Sequence, residues 1–127
     1  MKYLKKLPLY LSRVLIAAIF LISGAGKIAD PQGTMKYMAD YGMPLTGFFL
    51  VCAIILEIGG GLLVLTGFFD KMGARLLILF LIPTTLIFHT DFSQKMQIIQ
   101  FLKNSAIIGG LFAFLSRDPH NDRYNDN

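Results

Sequence analysis

An acidic residue near the middle of an apolar run is the feature of this sequence most suited to chemistry. Glu57 lies within Leu45–Phe69, a stretch of 25 residues, and about 20 apolar residues suffice to span the hydrocarbon core of a membrane. A carboxylate at that depth costs about 2.5–3.5 kcal/mol on insertion scales, and each Leu, Ile, Phe or Val returns roughly 0.3–0.6 kcal/mol. We therefore predict a membrane helix whose acid faces other protein rather than lipid.

Further ionisable residues lie in the other apolar parts of the chain. At 1.5 Å per residue we place Lys103 about 8 Å and Glu57 roughly 15 Å below the outer edge of a helix bundle, with Lys27 and His89 at the edge. We therefore expect an internal polar cluster built on Glu57, with Lys103 as its counter-ion and with His89 and Lys27 near its mouth. The remaining candidate ligand-binding residues are Asn104, Thr85 and Arg13.

This cluster has two interpretations that the sequence leaves open. Charged residues inside membrane spans mark functional sites, so the cluster is a candidate binding site. The alternative is a structural ion pair that fixes the register of the helices. Arg13 shares a predicted helix face with Lys27, and it either finds a partner inside the bundle or extends to the inner headgroups.

Glycines accompany the acid and the first apolar block. Gly60 and Gly61 follow Glu57 within one helical turn, and Gly24 lies in the first block. Small residues let membrane helices approach closely. We predict that these three glycines are helix-packing positions and that the approaching helix shields the acid from lipid.

The apolar residues are gathered in four blocks, which fixes the predicted fold class. The sequence is 54% hydrophobic and 16% charged, against roughly 25% charged in soluble domains. Helices of a soluble bundle each carry a polar face, whereas these blocks have none. We predict an all-α protein with one transmembrane domain over residues 1–115, spans at about 9–28, 46–69, 73–89 and 98–115, and a polar tail over 116–127.

The segment between the first two blocks, Ala29–Pro44, is too polar to cross a membrane. Asp30-Pro31 is typical of a turn, Thr34 can serve as an N-cap, and Gly42 can end a short helix. We predict a short interfacial helix that covers the mouth of the bundle, with an ordered loop as the alternative.

Basic residues bracket the spans instead of forming one face, so the net charge of +4 does not indicate a nucleic-acid partner. With four spans both termini lie on one side. Three basic residues lie on the opposite side: Lys27, Lys36 and Lys95. Seven lie on the side of the termini: Lys2, Lys5, Lys6, Lys71, Arg75, Arg117 and Arg123. This asymmetry favours cytoplasmic termini for a multi-pass protein of the bilayer.

Candidate metal and haem ligands are few in this sequence. Cys52 is the one cysteine, which rules out an iron–sulfur or zinc site built from cysteines of this chain. A haem is not expected, because the second histidine, His120, lies in the tail and far from His89. No residues can be named as catalytic, and we expect that the chain is not an independent enzyme.

Several short motifs occur in a fixed order along the four blocks: Arg13, SGAGK ending at Lys27, the Tyr41–Pro44 element, EIGGG over Glu57–Gly61, Gly67, and His89. Together they resemble the DoxX family of small bacterial membrane proteins over about residues 10–115. The resemblance implies a four-helix protein of the bacterial inner membrane. It also implies a link to membrane redox complexes, because the family is named for a subunit of a quinol oxidase or thiosulfate:quinone oxidoreductase.

Three functions are compatible with these observations. The first is an accessory subunit of a membrane redox complex, in which the Glu57/Lys103 cluster binds a quinone-like or other small polar-headed molecule, or conducts protons beside a partner. The second is a small proton-coupled transporter, and the third is a purely structural assembly protein. Other membrane redox subunits or a second copy of the chain are the expected protein partners.

Overall fold

Five helices make up the part of the chain that this computed structural model describes, residues 2–117. They are α1 (Lys2–Ala29), α2 (Pro31–Asp40), α3 (Thr46–Thr66), α4 (Asp70–Phe88) and α5 (Lys95–Leu115). Helix α3 is continuous but changes its winding, since α-helical Thr46–Ile54 and Gly60–Thr66 are joined by a π-helical turn at Ile55–Gly59.

Four of these helices, all but α2, are long and apolar enough to cross a membrane. Within residues 2–117 there is no β-strand. The predicted all-α bundle of four transmembrane helices, with a short helix between the first and second spans, is confirmed. The predicted tail overlaps the described residues only at Ser116 and Arg117, and the rest of it, including His120, lies outside them.

The middle of the bundle is formed by α3 and α4, which pack closely against each other, while α1 packs on α3 and α5 packs on α4. Helices α3 and α4 meet at two glycines. A Cβ atom on Gly60 of α3 would lie only 3.1 Å from the carbonyl oxygen of Gly73 on α4. Val64, Ala74 and Leu77 are completely buried at this contact. Close backbone approach therefore sets the separation of α3 and α4.

At one end of the bundle three segments are joined by Asp70. Its Oδ2 accepts hydrogen bonds from Arg13 on α1 and from Arg117 just after α5, each at 3.0 Å. Lys71 also donates to the backbone oxygen of Arg117 at 2.8 Å. We call this end, defined by Arg13, Asp70 and Arg117, the terminal end. The expectation that Arg13 joins the Glu57 cluster is wrong, since its guanidinium lies at the opposite end on Asp70.

Helix α2 closes the other end of the bundle. It begins one turn earlier than expected, at Pro31, because the Asp30 side chain accepts a hydrogen bond from the Gly33 backbone and is the N-cap. The predicted N-cap, Thr34, instead donates its hydroxyl to the Asp30 carbonyl oxygen. Met38 is buried against Leu50 and Phe88, which holds α2 over the ends of α3 and α4.

The Gly60–Gly73 contact generates a prediction about stability. Gly73→Ala places a Cβ 2.8 Å from the Gly60 carbonyl oxygen, so α3 and α4 must separate, and we expect a loss of about 1–3 kcal/mol in the free energy of unfolding. Gly109→Ala is the matched control, because nothing lies within 4 Å of its Cβ position. Unfolding in detergent measures both variants, and equal stabilities would contradict this account of the helix contact.

Candidate functional site

The buried acid is held by a pair of side chains from α1. Oε1 of Glu57 lies 2.9 Å from Nζ of Lys27 and accepts a second hydrogen bond, at 3.3 Å, from the Ser23 hydroxyl. Lys27 also donates to the Ser23 oxygen at 2.9 Å. The Glu57 side chain is 1% exposed and that of Lys27 is 19% exposed. The ion pair therefore connects α1 with α3 while Lys27 keeps some access to its surroundings.

The local fold places both partners. Ser23 and Lys27 are four residues apart and so share one face of α1. Glu57 lies at the centre of the π-helical turn of α3, a rare winding that occurs frequently at functional sites. The helices can approach there because Gly24 has no side chain, and a Cβ at this position would lie 2.6 Å from Cδ1 of Ile58.

The second carboxylate oxygen of Glu57 has a different environment. Oε2 is buried and makes no hydrogen bond to any group in the described part of the chain. It lies on the side of Gly24, since a Cβ there would be 3.4 Å from it. Because Oε1 has two donors and Oε2 has none, the carboxylate retains capacity for a further donor.

A cavity of about 1130 Å³ lies beside the ion pair. Its wall is mainly apolar and aromatic, with Phe20, Leu56, Phe80 and Ile107 among the lining side chains. The wall also contains some polar groups. Besides tyrosines and residues at the ends of loops, these are chiefly Ser23, Lys27, Glu57, His89, Lys103 and Asn104. Nζ of Lys27 also lies 5.6 Å from the centre of the Phe80 ring, within the range of a cation–π contact.

Aromatic rings pack together at the end of the cavity that α2 covers. The Tyr37 ring stacks on Phe88 with centroids 5.2 Å apart, and Tyr41 meets the same Phe88 ring at 5.0 Å. Partial burial, with Tyr41 nearby, raises the pKa of Tyr37 to about 12. The phenol of Tyr37 is therefore a neutral hydroxyl at the mouth of the cavity throughout the physiological pH range.

The cavity lies between α1 and α5, whose backbones do not pack closely against each other. Ser23 and Lys27 line it from α1, and Lys103 and Asn104 line it from α5. These two helices are also the least buried of the four spans. The cavity is thus bounded by α3 and α4 on its inner side and by the two outer helices on its flanks.

The structure assigns Lys27, and not Lys103, as the counter-ion of Glu57. We expected Lys103 in this role from its depth, but its side chain is exposed and makes no ion pair within the described residues. Lys103 does line the same cavity, next to Asn104, which is 8% exposed. Depth along a helix does not determine direction around it, and α1 lies closer to the acid than α5 does.

His89 and Thr85 have local partners. Nδ1 of His89, in the cavity wall, lies 3.0 Å from Oε1 of Gln97, a hydrogen bond across the α4–α5 connection. Thr85 is buried and donates to the Leu81 backbone oxygen at 2.7 Å. It is not part of the cavity wall, whereas its neighbour Thr84 is. The expectation that Thr85 belongs to the site is therefore wrong, because its hydroxyl is satisfied within α4.

Comparison with known sequences identifies the family of this chain. The DoxX family profile matches residues 9–90, which covers α1 to α4 and the Lys27–Glu57 pair. The chain belongs to the DoxX family. It is 35% identical over 119 residues to the inner membrane protein YqjF of Escherichia coli (strain K12), covering 94% of this chain and 90% of YqjF.

A second relative extends the DoxX comparison. The inner membrane protein YphA of the same strain is 29% identical over 116 residues, which covers 87% of this chain and 83% of YphA. No solved structure matches the chain significantly. Both relatives are inner membrane proteins by name, in agreement with the four candidate spans of this chain.

Three features of this DoxX site were not expected from the sequence. Ser23 bridges Lys27 and Glu57, and its four-residue spacing from Lys27 is the signal that would have indicated it. The π-helical turn around Glu57 has no recognisable sequence signal. The third feature lies outside the cavity, at the terminal end: Asp70 falls between the predicted second and third spans, and its position beside basic residues is the signal for its pairing with Arg13.

The ion pair generates a prediction about its partners. Lys27→Met leaves the Glu57 carboxylate buried without a counter-ion, so we expect a loss of about 3–5 kcal/mol in stability. Adding Glu57→Gln removes the buried charge, and the double variant should recover most of the loss. A double-mutant cycle from unfolding in detergent measures the coupling.

The control for this cycle is Lys36→Met. Lys36 pairs with Asp40 at 3.5 Å, but both side chains are largely exposed, so its loss should change stability by less than about 1 kcal/mol. If Lys27→Met were as stable as the control, the ion pair would not hold α1 against α3.

Proposed function

We propose that this DoxX protein binds a quinone-like molecule in its cavity and serves as an accessory subunit of a membrane redox complex. The observation that carries the proposal is the cavity of about 1130 Å³, mainly apolar and bordered by one buried ion pair. Sites for small lipophilic molecules are commonly clefts of about 300–1,000 Å³ with a few placed polar groups. This cavity has the size and the lining of such a site.

The polar groups suit a head that carries oxygen atoms. The Lys27 ammonium can donate to a carbonyl oxygen, and the Glu57 carboxylate can accept from a hydroxyl. The pair thus provides partners for both the oxidised and the reduced form of a quinone-like ring. The aromatic side chain of Phe80 lines the cavity and offers a surface against which a flat ring can lie.

The accessory role is supported by the family and by the placement of the cavity. The DoxX resemblance implies a link to quinone-linked oxidoreductases. The cavity lies between α1 and α5, the two least buried spans, so a partner subunit could meet the ligand there. In this role the chain holds the ligand and its partner carries the electrons.

A structural role is the second candidate, because the Lys27–Glu57 pair bridges α1 and α3. A proton-coupled transporter is less favoured, since Lys27 already neutralises the carboxylate that would carry the proton. Proton-driven efflux from reconstituted vesicles that is lost on mutation of Glu57 would favour the transporter over the binding protein.

A binding measurement tests the proposal. We expect decylubiquinone to raise the melting temperature of the purified protein and to bind in calorimetry. Glu57→Gln keeps the shape of the side chain but removes its charge, and it should weaken binding about tenfold, the value of one charge-assisted hydrogen bond. Asp40→Asn is the control, because Asp40 is exposed and lies outside the cavity wall.

The result also separates the candidate functions. Unchanged binding by a folded Glu57→Gln variant, or no binding by the wild-type protein, would overturn the proposed function. A variant that loses stability but binds as the wild type does would indicate the structural role. Mild purification of the native protein, followed by identification of the proteins that accompany it, tests the accessory role separately.

We also propose that the termini lie in the cytoplasm. The support is the excess of basic residues on the side of the termini, to which the terminal end with Arg13, Lys71 and Arg117 belongs. A fluorescent protein fused after Asn127 should fold and fluoresce, and alkaline phosphatase fused there should be inactive. Fusions within the connection after Gly42 should behave in the opposite way, and active phosphatase at Asn127 would refute this orientation.

A further inference from the structure

Two neighbouring polar residues of α5 line the cavity, and their side chains have no partner among residues 2–117. The Asn104 side chain is 8% exposed, yet neither it nor Lys103 makes a side-chain hydrogen bond or an ion pair with any residue of the described chain. The amide atoms of Asn104 are not among the fully buried polar atoms that lack a partner, so part of the amide stays accessible. Since both side chains border the same space, the cavity is where their partner can be bound.

Lys103 lies deep in a membrane span, where an ammonium without a polar partner is energetically unfavourable. It lies eight residues after the first residue of α5, Lys95, and therefore about 12 Å into the span at 1.5 Å per residue. An ammonium at that depth needs a counter-charge, an acceptor or water, because hydrocarbon provides none of them. The exposed surface of Lys103 must therefore meet something polar inside or beside the cavity.

Each carboxylate of the cavity wall already has at least one donor, although Oε2 of Glu57 has none. Oε1 of Glu57 accepts from Lys27 and Ser23, and Oδ1 of Asp30 accepts from the Gly33 backbone at the start of α2. Neither carboxylate lies within 4.0 Å of Lys103 among the described ion pairs. The positive charge of Lys103 is thus left for a bound molecule.

We propose that the cavity takes an amphipathic anion, with its oxyanion head on the Lys103 ammonium and the Asn104 amide. The apolar part of the molecule lies along the aromatic and aliphatic wall, and the space between α1 and α5 admits it from the bilayer. The inference rests on the proposed function and narrows its ligand to a lipophilic molecule with an ionised hydroxyl or carboxylate. It makes Lys103 the residue that distinguishes such an anion from an uncharged quinone.

A matched pair of probes tests whether the cavity prefers an amphipathic anion. The first is a naphthoquinone with an undecyl chain and a ring hydroxyl that ionises at neutral pH, and the second carries a methyl group in place of the hydroxyl. We expect the wild-type protein in detergent to bind the anionic probe about ten- to a hundredfold more tightly, as a charge-assisted hydrogen bond predicts. This comparison requires no variant and so does not depend on the folding of one.

Variants then assign the preference to Lys103. Lys103→Met should abolish the preference for the anionic probe, and Lys103→Arg should restore it. Lys95→Met is the control, because Lys95 is exposed on the same helix outside the cavity wall. Dodecanoate, bound with the same dependence on Lys103, would identify a lipid carboxylate as the source of the anion rather than a ring hydroxyl.

The other outcomes count against the inference. Equal binding of the two naphthoquinones, or a preference that survives in Lys103→Met, overturns it and leaves the proposed quinone-binding function standing. If neither naphthoquinone binds and decylubiquinone does not bind either, the proposed function fails together with the inference.

Discussion

The ion pair between Lys27 and Glu57 is the interaction on which this structure depends. A carboxylate half-way through a membrane span cannot remain charged without a partner, and its partner must come from a neighbouring helix. This requirement brings α1 against α3 at Gly24, since a side chain there would collide with Ile58. Ser23 then completes the hydrogen bonding of the pair from the same face of α1. The pair therefore ties the two helices together at the level of Glu57.

The two ends of the bundle satisfy their charges in different ways. At the terminal end, Asp70 joins α1, α4 and the residue after α5 through two arginines, so the helices converge there. At the other end Lys27 is committed to Glu57, and no residue of α5 takes part in that pair. Among the described residues α5 has no ion pair with α1 at this end, and the two helices flank the cavity there.

The sequence predicted the spans well because a span must contain about 20 apolar residues, and α1, α3, α4 and α5 are visible as such runs. It did not predict the direction of side chains around the bundle. Lys103 and Lys27 were both within reach of Glu57 by depth, and only the packing of α1 on α3 decides between them. The π-helical turn is a second reason, because it rotates the residues after Glu57 around the helix axis relative to a regular α-helix.

A purely structural pair does not explain the space beside it. Replacing a buried ion pair by well-packed apolar residues is often neutral or stabilising, so the register of α1 and α3 alone does not require charges. The cavity of about 1130 Å³ has a mainly apolar wall, which makes dispersion contacts with whatever occupies it. In the proposed function a bound molecule fills this space and uses the polar groups. Lys103 and Asn104 add a second polar edge to the cavity, because neither side chain has a hydrogen-bond or ion-pair partner within residues 2–117.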